Sequence, residues 1–477
     1  MNRVALAGGP VLFTLTLVLG APSGLPVEGW RVAGMAGWMA VWWLTGVIPL
    51  EATALLPLVV LPLAGVLSVR EAAAPYADPI IFLFLGGFLL AATLERWDLH
   101  RRFAFATIRV SGTDGPRVVL AFMLASAGLS MWISNTATAV MMLPIAGAVA
   151  SGVGETAGGP DSSANGFATA LLLGVAYGCS IGGVATLIGT PPNAIFAGAA
   201  SELLGREVGF GGWMALGLPV AVPMFLACWW LLVRLFRVRG PVEGLRASVD
   251  REARTVVTMS GAERFIVVVF GVTALAWIMR APKMVASVRI PGLTDLNAGI
   301  SDTGIALAAA LVLFAVPLRN ARFPTALDWR SASRVPWGIL LLFGGGLALA
   351  GAFAASGLTE WIGGRLIGLR GTPLPVILTI TVTLFVLLTE LTSNTATAAL
   401  AMPLIAGVAT GLGVSAYPMM VAATFAASMA FMLPVATPPN AVVYGAGVIR
   451  SRDMARAGIW LNGVAVVVIT LVVWTLT

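Results

Sequence analysis

Ser134-Asn135-Thr136-Ala137-Thr138-Ala139 recurs as Ser393-Asn394-Thr395-Ala396-Thr397-Ala398, and both copies lie deep inside apolar sequence. A proline follows each serine at the same distance, Pro144 in the first copy and Pro403 in the second. Further on a second phrase is doubled: Gly189-Thr190-Pro191-Pro192-Asn193-Ala194 is answered by Ala436-Thr437-Pro438-Pro439-Asn440-Ala441. Polar and helix-breaking residues are costly in hydrocarbon unless protein or a cavity shelters them. Interrupted apolar segments at corresponding places in two halves mark a transporter's binding site.

Composition places the chain in the membrane. Of its 477 residues 58% are hydrophobic and 10% charged, with a mean hydropathy of +0.95. Soluble domains run at about 45–50% apolar and about 25% charged. The fold class is therefore an all-α polytopic membrane protein of about eleven transmembrane helices plus partial ones. The net charge of +7 is a topology signal and not a nucleic-acid footprint. His100 is the only histidine, which excludes a histidine-rich metal site or a Ser/His/Asp triad. No P-loop is present, so the chain carries no sign of ATP-driven transport. Cys179 and Cys228 lie in apolar runs without metal spacing and read as packed thiols. Met1-Asn2-Arg3 before an apolar run to about Gly20 reads as a first membrane helix, with a cleaved signal peptide the alternative.

Two repeats emerge from a walk along the chain. Residues 1–115 form the first scaffold part, with spans 4–20, 31–49, 52–68 and 80–94 and an interfacial helix at 95–110. Residues 116–236 hold a polar-centred hairpin at 117–149, a broken helix at 166–200 and a helix at 211–233. A charged linker, 237–264, follows. The second scaffold part, 265–371, has spans 265–280, 303–318 and 336–355 and an interfacial stretch at 356–371. Residues 372–477 repeat the hairpin at 373–410, the broken helix at 416–449 and the closing helix at 457–476. Gly86-Gly87 is answered by Gly344-Gly345-Gly346, a pattern that suits close helix packing. Trp42-Trp43 and Trp229-Trp230 read as interfacial belts. Glu51 flanks a turn at the membrane surface.

If both hairpins are re-entrant, the loops holding Arg3, Arg96–Arg109, Arg234–Arg264, Arg319–Arg334 and Arg450–Arg456 share one face. With Arg117 that face carries 20 of the 28 basic residues, which makes it cytoplasmic. The N-terminus is then cytoplasmic, the C-terminus outside, and the two repeats inverted. An arm of about 15 residues rises about 22 Å, past the middle of a 30 Å core without crossing it. Ser134–Thr136 and Ser393–Thr395 would meet near the centre.

The chemistry of the phrases follows from their backbone. Pro191 and Pro438 push Thr190 and Thr437 out of helical geometry and lack donors, so the helix unwinds and restarts. Freed carbonyls, Gly189 and Ala436 among them, join Ser/Thr hydroxyls and Asn amide oxygens in a hard neutral cage suited to sodium. New helix starts offer N–H groups and partial positive charge to an anion. Neither phrase contains Arg or Lys, so bound cations and helix dipoles would hold the anion. A lone Ser-Asn-Thr is an N-cap and a lone Pro-Pro-Asn a turn; doubled in order, they are a site. Glu390, four residues before Asn394, reads as a brace or outer support, because its counterpart near Met131 is not acidic.

On these motifs, and on Trp42-Trp43-Leu44-Thr45-Gly46-Val47-Ile48-Pro49 with Thr53 and Pro57, the chain resembles the divalent-anion:sodium symporter family nearly end to end. The resemblance implies a homodimer whose transport domain, holding both hairpins and both broken helices, moves as an elevator. It places one sodium on Ser130, Ser134, Asn135 and Gly189, and a second on Thr389, Thr392, Asn394 and Ala436. Substrate carboxylates fall to Ser134, Asn135, Thr136, Ser393, Asn394 and Thr395, beside Thr190, Pro191, Thr437 and Pro438. It implies no catalytic residue and no organic cofactor. The family usually has an acidic residue where Gly46 stands. The expected activity is sodium-coupled uptake of a small dianion, a C4-dicarboxylate such as succinate, malate or fumarate, across the cell inner membrane. Sodium-independent dicarboxylate exchange and sulfate transport are the alternatives.

Overall fold

The computed structural model describes residues 3–109, 112, 114–156, 162–240, 258–285, 288–318 and 323–477, and these are mostly helical. The main helices of the first half are α1 (Arg3–Val18), α2 (Val27–Thr45), α3 (Leu56–Leu63), α4 (Pro79–Arg96), α5 (Leu99–Arg109), α6 (Gly115–Ser130), α7 (Asn135–Thr156), α8 (Ser162–Gly183), α9 (Pro191–Leu204) and α10 (Phe210–Leu235). The second half supplies α11 (Gly261–Met279), α12 (Asp302–Ala315), α13 (Trp337–Ala355), α14 (Leu358–Arg365), α15 (Leu374–Leu391), α16 (Asn394–Leu412), α17 (Ala416–Ala427), α18 (Pro438–Tyr444) and α19 (Ser451–Leu476). A short antiparallel ribbon, β1 (Lys283–Val285) with β2 (Val288–Ile290), lies between α11 and α12. Among the described residues eight helical stretches are long and apolar enough to cross a membrane, and six shorter apolar helices accompany them.

Three expected elements differ in form. The span predicted at 52–68 is a turn at Leu50–Thr53 followed by α3, which at 1.5 Å per residue rises only about 12 Å. Pro57 opens α3, Pro62 lies near its end, and Gly65 takes a φ of +70° just beyond. The helix predicted at 95–110 begins only at Leu99, because α4 runs through Arg96 and Asp98 turns the chain at a φ of +52°. Trp97 Nε1 donates to Ala326 O at 2.9 Å, and Arg96 pairs with Asp328 at 2.8 Å. The stretch predicted at 356–371 condenses to α14 and a 3₁₀ turn at Ile367–Leu369. Of the linker at 237–264, residues 241–257 lie outside the described residues, as do Val110, Arg319 and Arg322.

Packing arranges the helices in a repeated way. α8 runs against α6 and α7, and α17 against α15 and α16, so each helix pair is flanked by the helix that leads to its own break. The helices that restart after the breaks cross over. α18 packs on α7 and α8, while α9 packs on α16 and α17. α4 packs on α12, and α13 on α9 and α16. Cβ atoms at Gly86, Gly344 and Gly345 would collide with Ala306, Tyr76 and Ala54, so these glycines permit close helix approach as expected.

Of the four tryptophans read as interfacial belts, Trp43 needs correction. Trp43 is buried, with Nε1 donating to Leu50 O at 3.1 Å, and Trp42 donates to Leu6 O at 3.2 Å. Trp229 donates to Pro116 O at 2.9 Å, and only Trp230 stands exposed. An indole N–H usually finds a hydrogen-bond partner, and Leu6 O is left free inside α1 because Pro10, four residues on, has no N–H. Gly46 caps α2 in the left-handed region at φ 58°, ψ 27°. A side chain there would be strained.

Candidate functional site

Each Ser-Asn-Thr phrase occupies the turn between two helices. α6 ends at Ser130 and α7 begins at Asn135; α15 ends at Leu391 and α16 begins at Asn394. Short polar side chains favour such helix starts because they satisfy free N–H groups. Ser134 Oγ accepts from Ala137 N at 3.2 Å, and Ser134 O accepts from Thr138 N at 3.0 Å. In the second turn Ser393 O accepts from Thr397 N at 2.8 Å.

Oxygen atoms converge behind both turns. Ser130 Oγ lies 2.5 Å from the Asn135 side-chain amide. With the amide turned so that both of its ends are satisfied, Nδ2 also faces Gly189 O at 3.3 Å and Cys179 O at 3.2 Å. In the second half Thr389 Oγ1 donates to Asn394 Oδ1 at 2.8 Å and to Ala427 O at 2.7 Å. Gly183 makes room for the first cluster, since a Cβ there would stand 2.5 Å from the Asn135 side-chain amide. With the asparagine oxygen turned inward, one Ser/Thr hydroxyl, one Asn Oδ1 and backbone carbonyls form a donor set that a small hard cation takes.

Both breaks are held by one device. α8 stops at Gly183, residues 184–190 are not helical, and Thr190 is extended at φ −145°, ψ 144° before α9 restarts at Pro191. Asn193 Nδ2 reaches back to Gly183 O at 3.1 Å and Thr186 O at 2.7 Å. Thr437 is likewise extended, and Asn440 Nδ2 donates to Ala430 O at 3.2 Å and Leu433 O at 3.1 Å. The intervals from asparagine to acceptors are identical in the two halves. The Pro-Pro pair thus opens the new helix, where a missing N–H costs nothing, while the asparagine ties off carbonyls of the unwound turn.

Glu390 supports the second break from behind. Its carboxylate accepts from Phe431 N at 2.7 Å, from Met432 N at 2.9 Å, from Leu433 N at 3.2 Å and from Asn462 Nδ2 at 2.8 Å. It is buried, and these donors are what makes burying a carboxylate tolerable. In the first half Thr186 Oγ1 donates to Met131 O instead. Tyr177 OH links the halves by donating to Phe431 O at 2.7 Å.

The predicted site residues divide. Ser130, Asn135 and Gly189 come together, as do Thr389 and Asn394. Ser134 turns to its helix start, and Thr392 Oγ1 pairs with Thr397 Oγ1 at 2.5 Å. Ala436 is buried at the end of the second break, its N–H donating to Leu433 O at 3.2 Å. Thr190 and Thr437 are buried, Pro191, Ser393, Asn394 and Thr395 half-buried, and Thr136 and Pro438 exposed. Sequence reasoning missed Cys179 O and Ala427 O, because a backbone carbonyl has no side-chain signature. It quoted Asn193 and Asn440 without giving them a task; their place after each Pro-Pro was the available signal.

A cavity of about 320 Å³ opens beside the first turn. Ile133 and Ser134, the last turns of α4 (Phe88 to Arg96) and the segment Ser331–Pro336 line it.

Known proteins bear on this geometry. Residues 4–476 match the family described as the sodium:sulfate symporter transmembrane region. The chain is similar to the sodium-dependent dicarboxylate transporter SdcS of Staphylococcus saprophyticus, 40% identical over 99% of this chain and 91% of that protein. It is 38% identical to SdcS of Staphylococcus aureus (strain bovine RF122 / ET3-1) over 99% of this chain and 90% of that one. Among solved structures, the Alcanivorax borkumensis YdaH transporter aligns with a TM-score of 0.56 at 15% identity, covering 99% of this chain and 97% of that chain. Neisseria gonorrhoeae MtrF aligns at 0.57 and 14%, over 98% and 97%. These two likenesses concern the fold. Matched nearly end to end, the chain belongs to the sodium:sulfate symporter family.

Proposed function

We propose that the chain carries out sodium-coupled secondary active transport of small divalent anions, C4-dicarboxylates above all, across the cytoplasmic membrane. The observation that carries this reading is the doubled oxygen cluster, Ser130–Asn135–Gly189 and Thr389–Asn394–Ala427, set behind two helix starts. Two relatives named as sodium-dependent dicarboxylate transporters, 40% and 38% identical over nearly the whole chain, support the choice of ion and substrate.

The mechanism follows from charge. Neutral oxygens alone hold a dianion poorly. Each sodium adds a full positive charge beside the N–H groups at the starts of α7 and α16, so the anion site becomes strong only when sodium is bound. Of the expected ligands, Ser130, Asn135 and Gly189 would hold sodium 1 and Thr389 and Asn394 sodium 2, with Ser134, Thr392 and Ala436 turning in to complete the two shells. Asn135, Thr136, Asn394 and Thr395 face the carboxylates. Segments 116–236 and 372–477 move together as an inverted-repeat elevator against a scaffold of 1–115 and 265–371, in a homodimer embedded in lipid. The arginine-rich face is cytoplasmic.

Radiolabelled succinate uptake into proteoliposomes tests this. Uptake should require an inward sodium gradient and be competed by malate and fumarate. Equal uptake in sodium and choline, driven by internal succinate, would establish exchange instead; stronger competition by sulfate would move the substrate to an inorganic dianion.

A further inference from the structure

The cavity beside Ser134 lies at the face that carries the arginine-rich loops, and its walls bear charges that the transport reading leaves without a task. Three charged side chains line it: Glu95, Arg96 and Arg334. Arg96 is committed. It pairs with Asp328 at 2.8 Å, reaches Ser331 Oγ at 3.3 Å and lies over the Phe323 ring at 4.2 Å. Arg334 is exposed, and no ion pair joins it to a carboxylate among the described residues. Glu95 is exposed on the wall formed by α4. A cleft of about 320 Å³ is large enough for a small ligand, since ligand pockets begin at about 300 Å³. Its apolar walls, Phe88, Ala91, Ala92, Ile133 and Val335, focus the field of the few charges on them.

We propose that this cavity is a second, weak dianion site, with Arg334 as the cation that receives the substrate next to Ser134 and Glu95 as the charge that keeps its stay brief. The proposal rests on the transport reading above and adds a station outside the sodium-bearing site. A lone guanidinium can pair with a carboxylate through two parallel N–H bonds. An unopposed one would hold a dianion and slow its departure. The opposed carboxylate weakens that hold, which suits a station between a binding site and bulk water. The prediction is specific in sign: Arg334 and Glu95 act in opposite directions, and only on the face where the cavity opens.

Two measurements on the full-length protein test it. In inverted and right-side-out membrane vesicles, succinate flux is titrated from each side. Arg334→Gln should raise the half-saturating succinate concentration at the arginine-rich face by about three- to tenfold, and Glu95→Gln should lower it by a similar factor. That is the order expected of one charge acting across a few ångströms of wet cleft. The opposite face and the sodium dependence should stay within about twofold. No shift, shifts of the same sign, or equal shifts on both faces would overturn the proposal. The second measurement needs no transport. Ala92→Cys lines the cavity, and the native Cys179 and Cys228 are buried. The ratio of its labelling rates with anionic and cationic thiosulfonates should fall about threefold or more in Arg334→Gln and rise in Glu95→Gln. A ratio unmoved by both would overturn the vestibular site even where succinate flux is normal. Absent sodium-dependent flux in wild type, by contrast, would count against the transport reading, and the labelling ratio would still decide the cavity.

Discussion

At the scale of single residues, the account rests on few atoms. Asn135 and Asn394 each sit at a helix start and within reach of a hydroxyl five residues back, Ser130 at 2.5 Å and Thr389 at 2.8 Å. Asn135→Ala and Asn394→Ala should each abolish sodium-driven succinate uptake while the purified protein stays folded; wild-type uptake by either would refute the site. Gly183→Ala is a subtler probe. The added Cβ would stand 2.5 Å from the Asn135 side-chain amide, so the amide must move. Sodium activation should shift to concentrations at least about tenfold higher, with thermal stability lowered by about 1–3 kcal/mol for overpacking; an unchanged sodium curve would show that the amide is not a ligand. The phrases holding both asparagines were legible because polar residues stand out in apolar sequence. Gly183, Cys179 and Ala427 were not, since what they contribute is space or backbone.

At the scale of elements, the decisive event is the loss of helix before each Pro-Pro. Sequence located the breaks at Thr190 and Thr437, with Gly189 and Ala436 freed before the prolines, but not their length. The unwound segment lies upstream, at 184–190 in the first half, and the prolines begin the next helix. Proline is preorganised for the first turn, whereas the unwound backbone is held by side-chain partners, the Asn193 and Asn440 amides as donors and the Glu390 carboxylate as acceptor. α3 was misread for a related reason: an apolar run reports burial, and Pro57, Pro62 and Gly65 cut it short. Glu390→Gln tests the brace. An amide has one oxygen where the carboxylate offers two to Phe431, Met432, Leu433 and Asn462. Leaving buried donors unpaired costs about 1–3 kcal/mol. The variant should melt earlier and need more sodium, and sodium should restore part of the lost stability. A normal melting temperature with uptake abolished would instead make Glu390 a direct participant.

At the scale of the molecule, the two halves exchange their restarted helices, α9 onto α16 and α18 onto α7. The sites of the two halves therefore form parts of one assembly. The doubled phrases disclosed that there were two parts, but not that they cross-pack, because helix partners leave no trace in a single sequence. A separate anchor ties the proposed moving part to the scaffold. Asp302 accepts from Phe210 N at 2.8 Å, pairs with Arg280 at 2.8 Å and lies buried. Asp302→Ala leaves Arg280 without its partner and should lower stability by about 3–5 kcal/mol, read as a fall in the thermal midpoint; an unchanged midpoint would show the pair to be dispensable.

Equilibrium binding of radiolabelled succinate to the purified protein, measured in sodium and again in choline, reaches the centre of the account. Tight binding confined to sodium, steepening with sodium concentration and lost in Asn135→Ala, is the predicted result. Equal affinity in the two salts would contradict the idea that bound cations complete the anion site.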